Sequence, residues 1–212
     1  MKKVSIIDLG VSNIFSISGL FTKIGYKTEI IRTKEEFKNI DILVIPGVGT
    51  FKTAMNFLIK QNLINKIKEF VYQEKPLIGI CLGMQLLFEK SSEFGNCKGL
   101  GLIKGEVVKF SKKKIKTHIG WNHINLNSNN HYIKKFSHFN AFDKKYFYFV
   151  HSYYPLLKDK SLAFSYTDFN SERFCSSILF KNILALQFHP EKSSINGIKL
   201  IKDFLNVTTG ND

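Results

Sequence analysis

The stretch that most constrains this chain runs from Pro76 to Phe88. After the proline comes a short apolar run, Leu77-Ile78-Gly79-Ile80, then Cys81, then Leu82-Gly83-Met84-Gln85-Leu86-Leu87-Phe88. The run reads as a buried strand, and Met84 to Lys90 as the first turns of a helix. Between them, Gly79-x-Cys81-x-Gly83 has the pattern of a nucleophile elbow with cysteine in the place of serine. A turn tight enough to lift one side chain out of a sheet leaves no room for a Cβ two residues before or after it. At a helix start Cys81 also meets unpaired N–H groups and the positive end of the helix dipole, a setting that suits a nucleophilic sulfur. The plainer alternative is a buried cysteine in a strand–helix joint.

The segments before it fix the surrounding architecture. Val4 to Asp8 is a strand candidate, followed by Gly10 and Asn13. Ile14, Ile17, Phe21 and Ile24 recur at helical spacing, and Gly25 supplies a stop. Thr28 to Ile31 is a second strand. Ile40 to Ile45 is a third, a nearly continuous apolar run of the kind buried on both faces. This β-α-β-β opening predicts a parallel sheet with helices on its faces. Pro46-Gly47-Val48-Gly49 lies at the carboxyl end of the third strand, where open α/β sheets bind ligands. Such a loop can aim N–H groups at an oxyanion, although taken alone it reads as a turn. Phe57, Leu58, Ile64, Ile67, Phe70 and Val71 mark one core-facing helix leading to the Cys81 strand.

From Glu106 the texture changes. Val107–Phe110, Tyr146–Val150, Leu162–Tyr166 and Phe174–Phe180 are aromatic and β-branched runs between short turns, which predicts a mixed or antiparallel sheet. Asn125 to Asn130 reads as an asparagine-rich loop. Ile183 to Phe188 is a buried-type strand ending in His189-Pro190-Glu191. Ile195, Ile198, Ile201, Phe204 and Leu205 define a final amphipathic helix with Ser193 or Ser194 as N-cap. The tail after Val207 is expected to fray. No repeat or linker separates the halves, so residues 1–212 are expected to form one domain.

Net charge is the feature that could mislead. A formal +14 raises a nucleic-acid hypothesis. The basic residues, however, are nearly all lysine, with Arg32 and Arg173 the only arginines, and they are scattered apart from small clusters at Lys112–Lys114, Lys134-Lys135 and Lys144-Lys145. Base readout relies on arginine, and no nucleic-acid motif is present. A solvated basic surface, or one facing an acidic protein, fits better than nucleic-acid binding. No apolar run has the length of a membrane span, and no signal-peptide pattern opens the chain. Cys81, Cys97 and Cys175 form no metal spacing and leave one odd thiol, which points to a reducing cytoplasm. No metal or cofactor is expected. His123, His131 and His138 read as surface residues, and His118 and His151 as packing residues at least as readily as chemical ones.

Three features fall at strand ends: the Gly47–Gly49 loop, the Cys81 elbow, and His189 with Glu191. A reactive sulfur needs a proton shuttle in the range of histidine, and a carboxylate two residues on can fix the imidazole tautomer. Gly79-Ile80-Cys81-Leu82-Gly83-Met84-Gln85 together with His189-Pro190-Glu191-Lys192-Ser193 resembles the class I, triad-type glutamine amidotransferases, over essentially the whole chain from Asp8 to the final helix. Within that family, Met84, His118-Ile119-Gly120-Trp121-Asn122 and Tyr148-Phe149-Val150-His151-Ser152-Tyr153 are similar to the glutaminase subunits of imidazole glycerol phosphate synthases. The resemblance implies a flavodoxin-like α/β fold, a mixed sheet with helices on both faces. It implies Cys81 as nucleophile towards L-glutamine, His189 as proton shuttle and Glu191 as its orienting group. It further implies an oxyanion hole from the N–H of Leu82 and one from Val48–Gly49, and substrate contacts at Gly47, Gln85, Glu93, Ser152 and Tyr153.

Ammonia released into neutral water is protonated and lost, and the chain carries no recognisable acceptor domain, so a separate partner is expected to receive it. In the resembled enzymes that partner is a (β/α)8-barrel cyclase subunit, forming a heterodimer, that converts a ribulosyl-formimino nucleotide (PRFAR) to imidazole glycerol phosphate and AICAR for histidine biosynthesis. Asn13, Trp121, Tyr148 and Lys192 match interface positions there. The chain departs from the family pattern at Leu9 and Ser12, where tyrosine and glycine are usual, and at Thr117, where proline is. A paralogous client also fits the residues, namely an amino- or amidino-sugar enzyme of cell-surface glycan synthesis. In another class stands a non-catalytic binding subunit that keeps the fold, against which the intact Cys81, His189 and Glu191 argue.

Overall fold

The computed structural model describes residues 2–10, 13–111 and 117–210; Val11, Ser12 and the Lys112–Lys114 cluster lie outside the described residues. In chain order the elements are β1 (Lys3–Ile7), α1 (Ile14–Lys23), β2 (Lys27–Ile31), β3 (Ile42–Ile45), α2 (Phe51–Lys60), α3 (Leu63–Tyr72), β4 (Leu77–Ile80), α4 (Leu82–Leu86), β5 (Phe88–Ser91), β6 (Cys97–Lys98) and β7 (Ile103–Lys109). They continue with β8 (His118–His123), β9 (Asn125–Leu126), β10 (Tyr146–His151), β11 (Tyr153–Leu157), β12 (Ala163–Phe169), β13 (Glu172–Phe180), β14 (Ile183–Leu186) and α5 (Ser194–Thr209).

The main sheet has the order β2-β1-β3-β4-β14-β13-β12-β9. Its first five strands are parallel, and β13, β12 and β9 follow antiparallel. The period-two alternation of the strands divides their side chains between two cores. Ile42, Val44, Ile78 and Ile80 join Ile17 and Phe21 of α1 and Leu200, Ile201 and Phe204 of α5 on one face. Leu43, Ile45 and Leu77 join Phe51 and Leu58 of α2 and Ile67 and Phe70 of α3 on the other. Each such side chain removed from water contributes about 1.5–3 kcal/mol, which is why the central strands are continuously apolar. Beside this sheet stand a four-stranded sheet, β11-β7-β5-β6, and a two-stranded ribbon, β10-β8. The mixed second half is therefore split over three sheets.

Four local expectations change. The helix expected across Phe57–Val71 is two helices, because Asn62 adopts the left-handed conformation at φ 55 and turns the chain between α2 and α3. The helix expected from Met84 to Lys90 begins at Leu82 and stops at Leu86. Its last carbonyls are taken by a distant segment: Leu100 N–H donates to the Leu86 oxygen and Leu102 N–H to that of Leu87, both at 2.9 Å. The chain then runs on as β5. The asparagine-rich loop contains β9, and Asn130 is buried, its Nδ2 donating to the carbonyls of Leu162, Ala163 and Leu179. The tail does not fray at Val207; α5 continues to Thr209 and closes on Gly210 in the left-handed region.

Candidate active site

Cys81 sits where β4 meets α4, with φ 51 and ψ −105. A non-glycine residue held there stores backbone strain, and the packing around it shows what holds it. A Cβ on Gly83 would lie 1.9 Å from the Ile45 carbonyl oxygen, and one on Gly79 would lie 3.1 Å from the Gly83 carbonyl. Gly47 is closed in the same way, with Leu82 Cβ at 2.3 Å. The end of β3 and the first turn of α4 thus touch backbone to backbone, and Cys81 is turned out where β4 enters that turn. Its own N–H donates to the Leu186 carbonyl of β14 at 2.6 Å, fixing the neighbouring strand end.

That strand end delivers His189. Its Nδ1 is 2.8 Å from Glu191 Oε1, and both side chains are 2% exposed. A carboxylate oxygen only accepts, so Nδ1 carries a proton and Nε2 is the nitrogen left to exchange one. Nε2 is buried without a hydrogen bond of normal geometry, and Cys81 is the neighbour that acts on it. Burial alone lowers the basicity of His189. The charge of the Cys81 sulfur and its contact, then the hydrogen bond and charge of Glu191, outweigh that and raise the ring to about 10. At neutral pH the imidazole is held protonated against the sulfur.

In front of Cys81 is a cavity of about 300 Å³, lined by Gly47, Val48, Gly49, Cys81, Leu82, Gln85, Glu93, Val150, His151, Ser152 and Tyr153. The loop and substrate-contact residues expected from sequence therefore share one wall system with Cys81. Gln85 Nε2 donates to the Tyr153 carbonyl at 2.8 Å and to Gln187 Oε1 at 3.1 Å. With both amide hydrogens used, the Gln85 carbonyl oxygen is the group available to accept from an ammonium. Glu93 Oε2 accepts from Phe51 N–H at 2.6 Å, which anchors it at the start of α2. Thr117 bonds the Ser152 hydroxyl at 2.8 Å, so the departure there reaches the cavity rim.

The expected interface residues gather to one side of this cavity. Trp121 and Tyr148 face each other across the ribbon with ring centroids 6.1 Å apart, and Lys192 Nζ lies 5.7 Å from the Tyr148 ring centre. Asn13 caps α1, which packs against the Pro190–Lys192 turn. Ser193, one of the two expected N-caps, holds the N-cap position of α5 but makes no side-chain capping bond to it. Its hydroxyl instead donates to the His189 carbonyl at 2.6 Å and accepts from Tyr148 N–H at 3.0 Å. The ribbon is thereby fastened to the turn that carries His189.

The family pattern described as "Glutamine amidotransferase class-I" matches residues 5–207. The chain belongs to that family. Among the curated relatives of this amidotransferase, imidazole glycerol phosphate synthase subunit HisH of Sulfurimonas denitrificans is 42% identical over 207 residues, covering 95% of this chain and 96% of that protein. The HisH of Lactococcus lactis is 41% identical, covering 97% and 98%. Among solved structures, PurLQS from Thermotoga maritima superposes with a TM-score of 0.73 at 18% identity, over 97% of this chain and 98% of that one. The class I amidotransferase fold expected from the sequence is the fold observed.

Gln187 had not been singled out, and His118 and His151, left open between packing and chemistry, both take part in the hydrogen bonding around the site. Gln187, completely buried, donates through Nε2 to Cys81 Sγ at 3.6 Å, and the Val150 carbonyl lies 3.8 Å from the same sulfur. His151 lines the cavity and donates from Nδ1 to the Tyr153 carbonyl at 2.9 Å. Its Nε2 then accepts from His118 Nδ1 at 3.3 Å, and His118 Nε2 accepts from Asn122 Nδ2 at 3.3 Å. Burial lowers His118 to about 4, and burial followed by the neighbouring His118 lowers His151 to about 3. Both are neutral links in a hydrogen-bond chain. Gln187 had a usable signal, a lone amide inside a buried apolar strand end.

Among the described residues no cluster of metal-binding side chains occurs, and no helix is long and apolar enough to cross a membrane. Arg32 is paired with Asp8 at 2.9 Å, and Arg173 lies over the Tyr166 ring at 4.9 Å. Both arginines are engaged within the protein.

Proposed function

We propose that this protein is the glutaminase subunit of an imidazole glycerol phosphate synthase. The observation that carries the reading is the alignment of Cys81, His189 and Glu191 behind a cavity of glutamine size, with Gln85 and the Gly47–Gly49 loop on its walls. The Cys81 thiolate attacks the carboxamide carbon of L-glutamine. Negative charge on its oxygen is met by N–H of Leu82 and of the Val48–Gly49 segment. As the carbon–nitrogen bond breaks, His189 gives its Nε2 proton to the departing nitrogen, leaving a thioester and ammonia. Water adds to the thioester, passes a proton to His189, and glutamate leaves with the thiolate restored. Glu191 keeps Nε2 directed at the chemistry throughout.

The ammonia is passed to a (β/α)8-barrel cyclase subunit in a heterodimer, which uses it to form imidazole glycerol phosphate and AICAR from PRFAR. The names of the HisH relatives support this client. So does the outward face of the ribbon, where Ile119, Trp121 and Tyr146 are 65%, 53% and 54% exposed. Apolar surface of that extent beside a catalytic cavity marks a docking face. The residues 1–212 act as one glutaminase domain in a cytoplasmic enzyme.

The test is glutamate release from glutamine by the protein mixed with the histidine-pathway cyclase of its own organism, with and without the nucleotide acceptor, and with Cys81→Ala as blank. Acceptor-dependent release, lost by at least about 10⁴-fold in the blank, is the expected result. Release that ignores the cyclase and its acceptor overturns the choice of client and leaves the glutaminase.

A further inference from the structure

We propose that Gln187 is a second stabiliser of the Cys81 thiolate, a neutral donor working beside the charged His189. The sulfur has two contacts of opposite preference. A thiol can donate to the Val150 carbonyl at 3.8 Å, whereas only a sulfur acting as acceptor uses the Gln187 Nε2–H at 3.6 Å. Which end of the Gln187 amide faces the sulfur is not free. Its Oε1 accepts from Gln85 Nε2, whose other hydrogen is held by the Tyr153 carbonyl, and that carbonyl is held in turn by His151. Only Gln187 nitrogen can therefore point at Cys81.

A hydrogen bond to an ionised acceptor is roughly twice as strong as a neutral one, and strongest where water is excluded. Gln187 is fully buried. The remaining titratable groups around the sulfur are His189 with Glu191 behind it, the neutral His151, and on the cavity wall Glu93 and Tyr153, whose phenol is pushed up by burial. Gln187 adds stabilisation without adding charge, and ties the state of the nucleophile to Gln85, the side chain placed to grip the substrate. The proposal rests on the reading of Cys81 as nucleophile.

Two substitutions separate the roles. Gln187→Leu removes the donor. Gln187→Glu keeps the size and the acceptor for Gln85 but sets an acceptor against the sulfur. The first readout is the pH dependence of Cys81 alkylation by iodoacetamide, followed on the Cys81 peptide by mass spectrometry so that Cys97 and Cys175 do not contribute. The pH of half-maximal alkylation is expected to rise by about one unit in Gln187→Leu, the tenfold change one such bond supplies, and by more in Gln187→Glu. In glutamine hydrolysis, kcat of Gln187→Glu is expected to fall at least about tenfold with KM within about twofold. In the unsubstituted protein, the NMR signal of the Gln187 amide is expected to shift as Cys81 ionises and to stay fixed in Cys81→Ala, a readout that needs no Gln187 variant to fold.

Alkylation profiles that superimpose on that of the parent protein, or an amide signal blind to Cys81, overturn the proposal. A profile that moves in a protein that hydrolyses no glutamine leaves Gln187 in its role and removes the glutaminase reading instead.

Discussion

The two sides of Cys81 are built by different physics. Behind it, the ends of β3 and β4 are wholly apolar, and position is set by contact: glycines permit backbones to touch, and nothing there titrates. Beside it, the β8–β10 ribbon fixes position with polar groups in sequence, Asn122 to His118 to His151 to the Tyr153 carbonyl. The His118 ring is sandwiched between Phe149 at 4.6 Å and Phe169 at 4.3 Å. The first side resists everything except a change of volume. The second depends on which atoms carry protons, so it should respond to pH where the first does not.

The sharpest way to break the packed side is Gly83→Ala. Its new Cβ meets a backbone oxygen that cannot step aside, so a loss of more than about 3 kcal/mol is expected in denaturant unfolding, with activity lost as the elbow distorts. An effect below about 1 kcal/mol would show that α4 can move away from the end of β3, and that contact is not what holds them.

The polar side is tested by acid. His118 and His151 have ordinary values near 6.5 in the unfolded chain but about 4 and about 3 in the fold. Between those limits the unfolded chain binds protons that the folded one refuses, so stability falls as pH drops through that window and is complete above it. About 3 kcal/mol is expected to be lost between pH 7 and pH 4.5, allowing for the partial solvation of His118. The slope should be shallower in His118→Asn. Parallel slopes in the two proteins would show that other groups carry the acid response.

Trp121→Ala examines the outer face of the same ribbon. With the indole 53% exposed, stability should change by less than about 0.5 kcal/mol, while affinity for the proposed cyclase partner falls by about 2 kcal/mol. The smallest effect belongs to Gly19→Ala in α1. A Cβ there meets nothing within 4 Å, so a gain of about 0.5 kcal/mol is expected, opposite in sign to Gly83→Ala.

The same contrast explains what could be read from the sequence. The elbow, the loop after β3 and the His189–Glu191 pair were legible because each is local: a few residues whose spacing already states the geometry. The parallel strands were legible because burial on both faces demands unbroken apolar runs. The early end of α4 was not, since it is imposed by N–H groups of Leu100 and Leu102, which no periodicity around Met84 reveals. The break at Asn62 hung on one residue entering the left-handed region. The His118–His151 link joins residues 33 positions apart, and its meaning lies in tautomers, which sequence does not carry. Gln187 stood in plain view as an amide among Leu186 and Phe188, its purpose hidden until Cys81 was placed beside it.

The two hydrogen bonds of Ser193, to the His189 carbonyl and from the Tyr148 N–H, have a mechanical meaning. Tyr148 belongs to the rim that the proposed partner would grip, and His189 to the interior where the proposed proton transfers take place. One hydroxyl group spans the two. A pull on the rim need not travel through the core to be felt at the imidazole. Rim and imidazole-bearing turn are tied there twice over, by this hydroxyl and by the His189 N–H, which donates to the Tyr148 carbonyl at 2.9 Å.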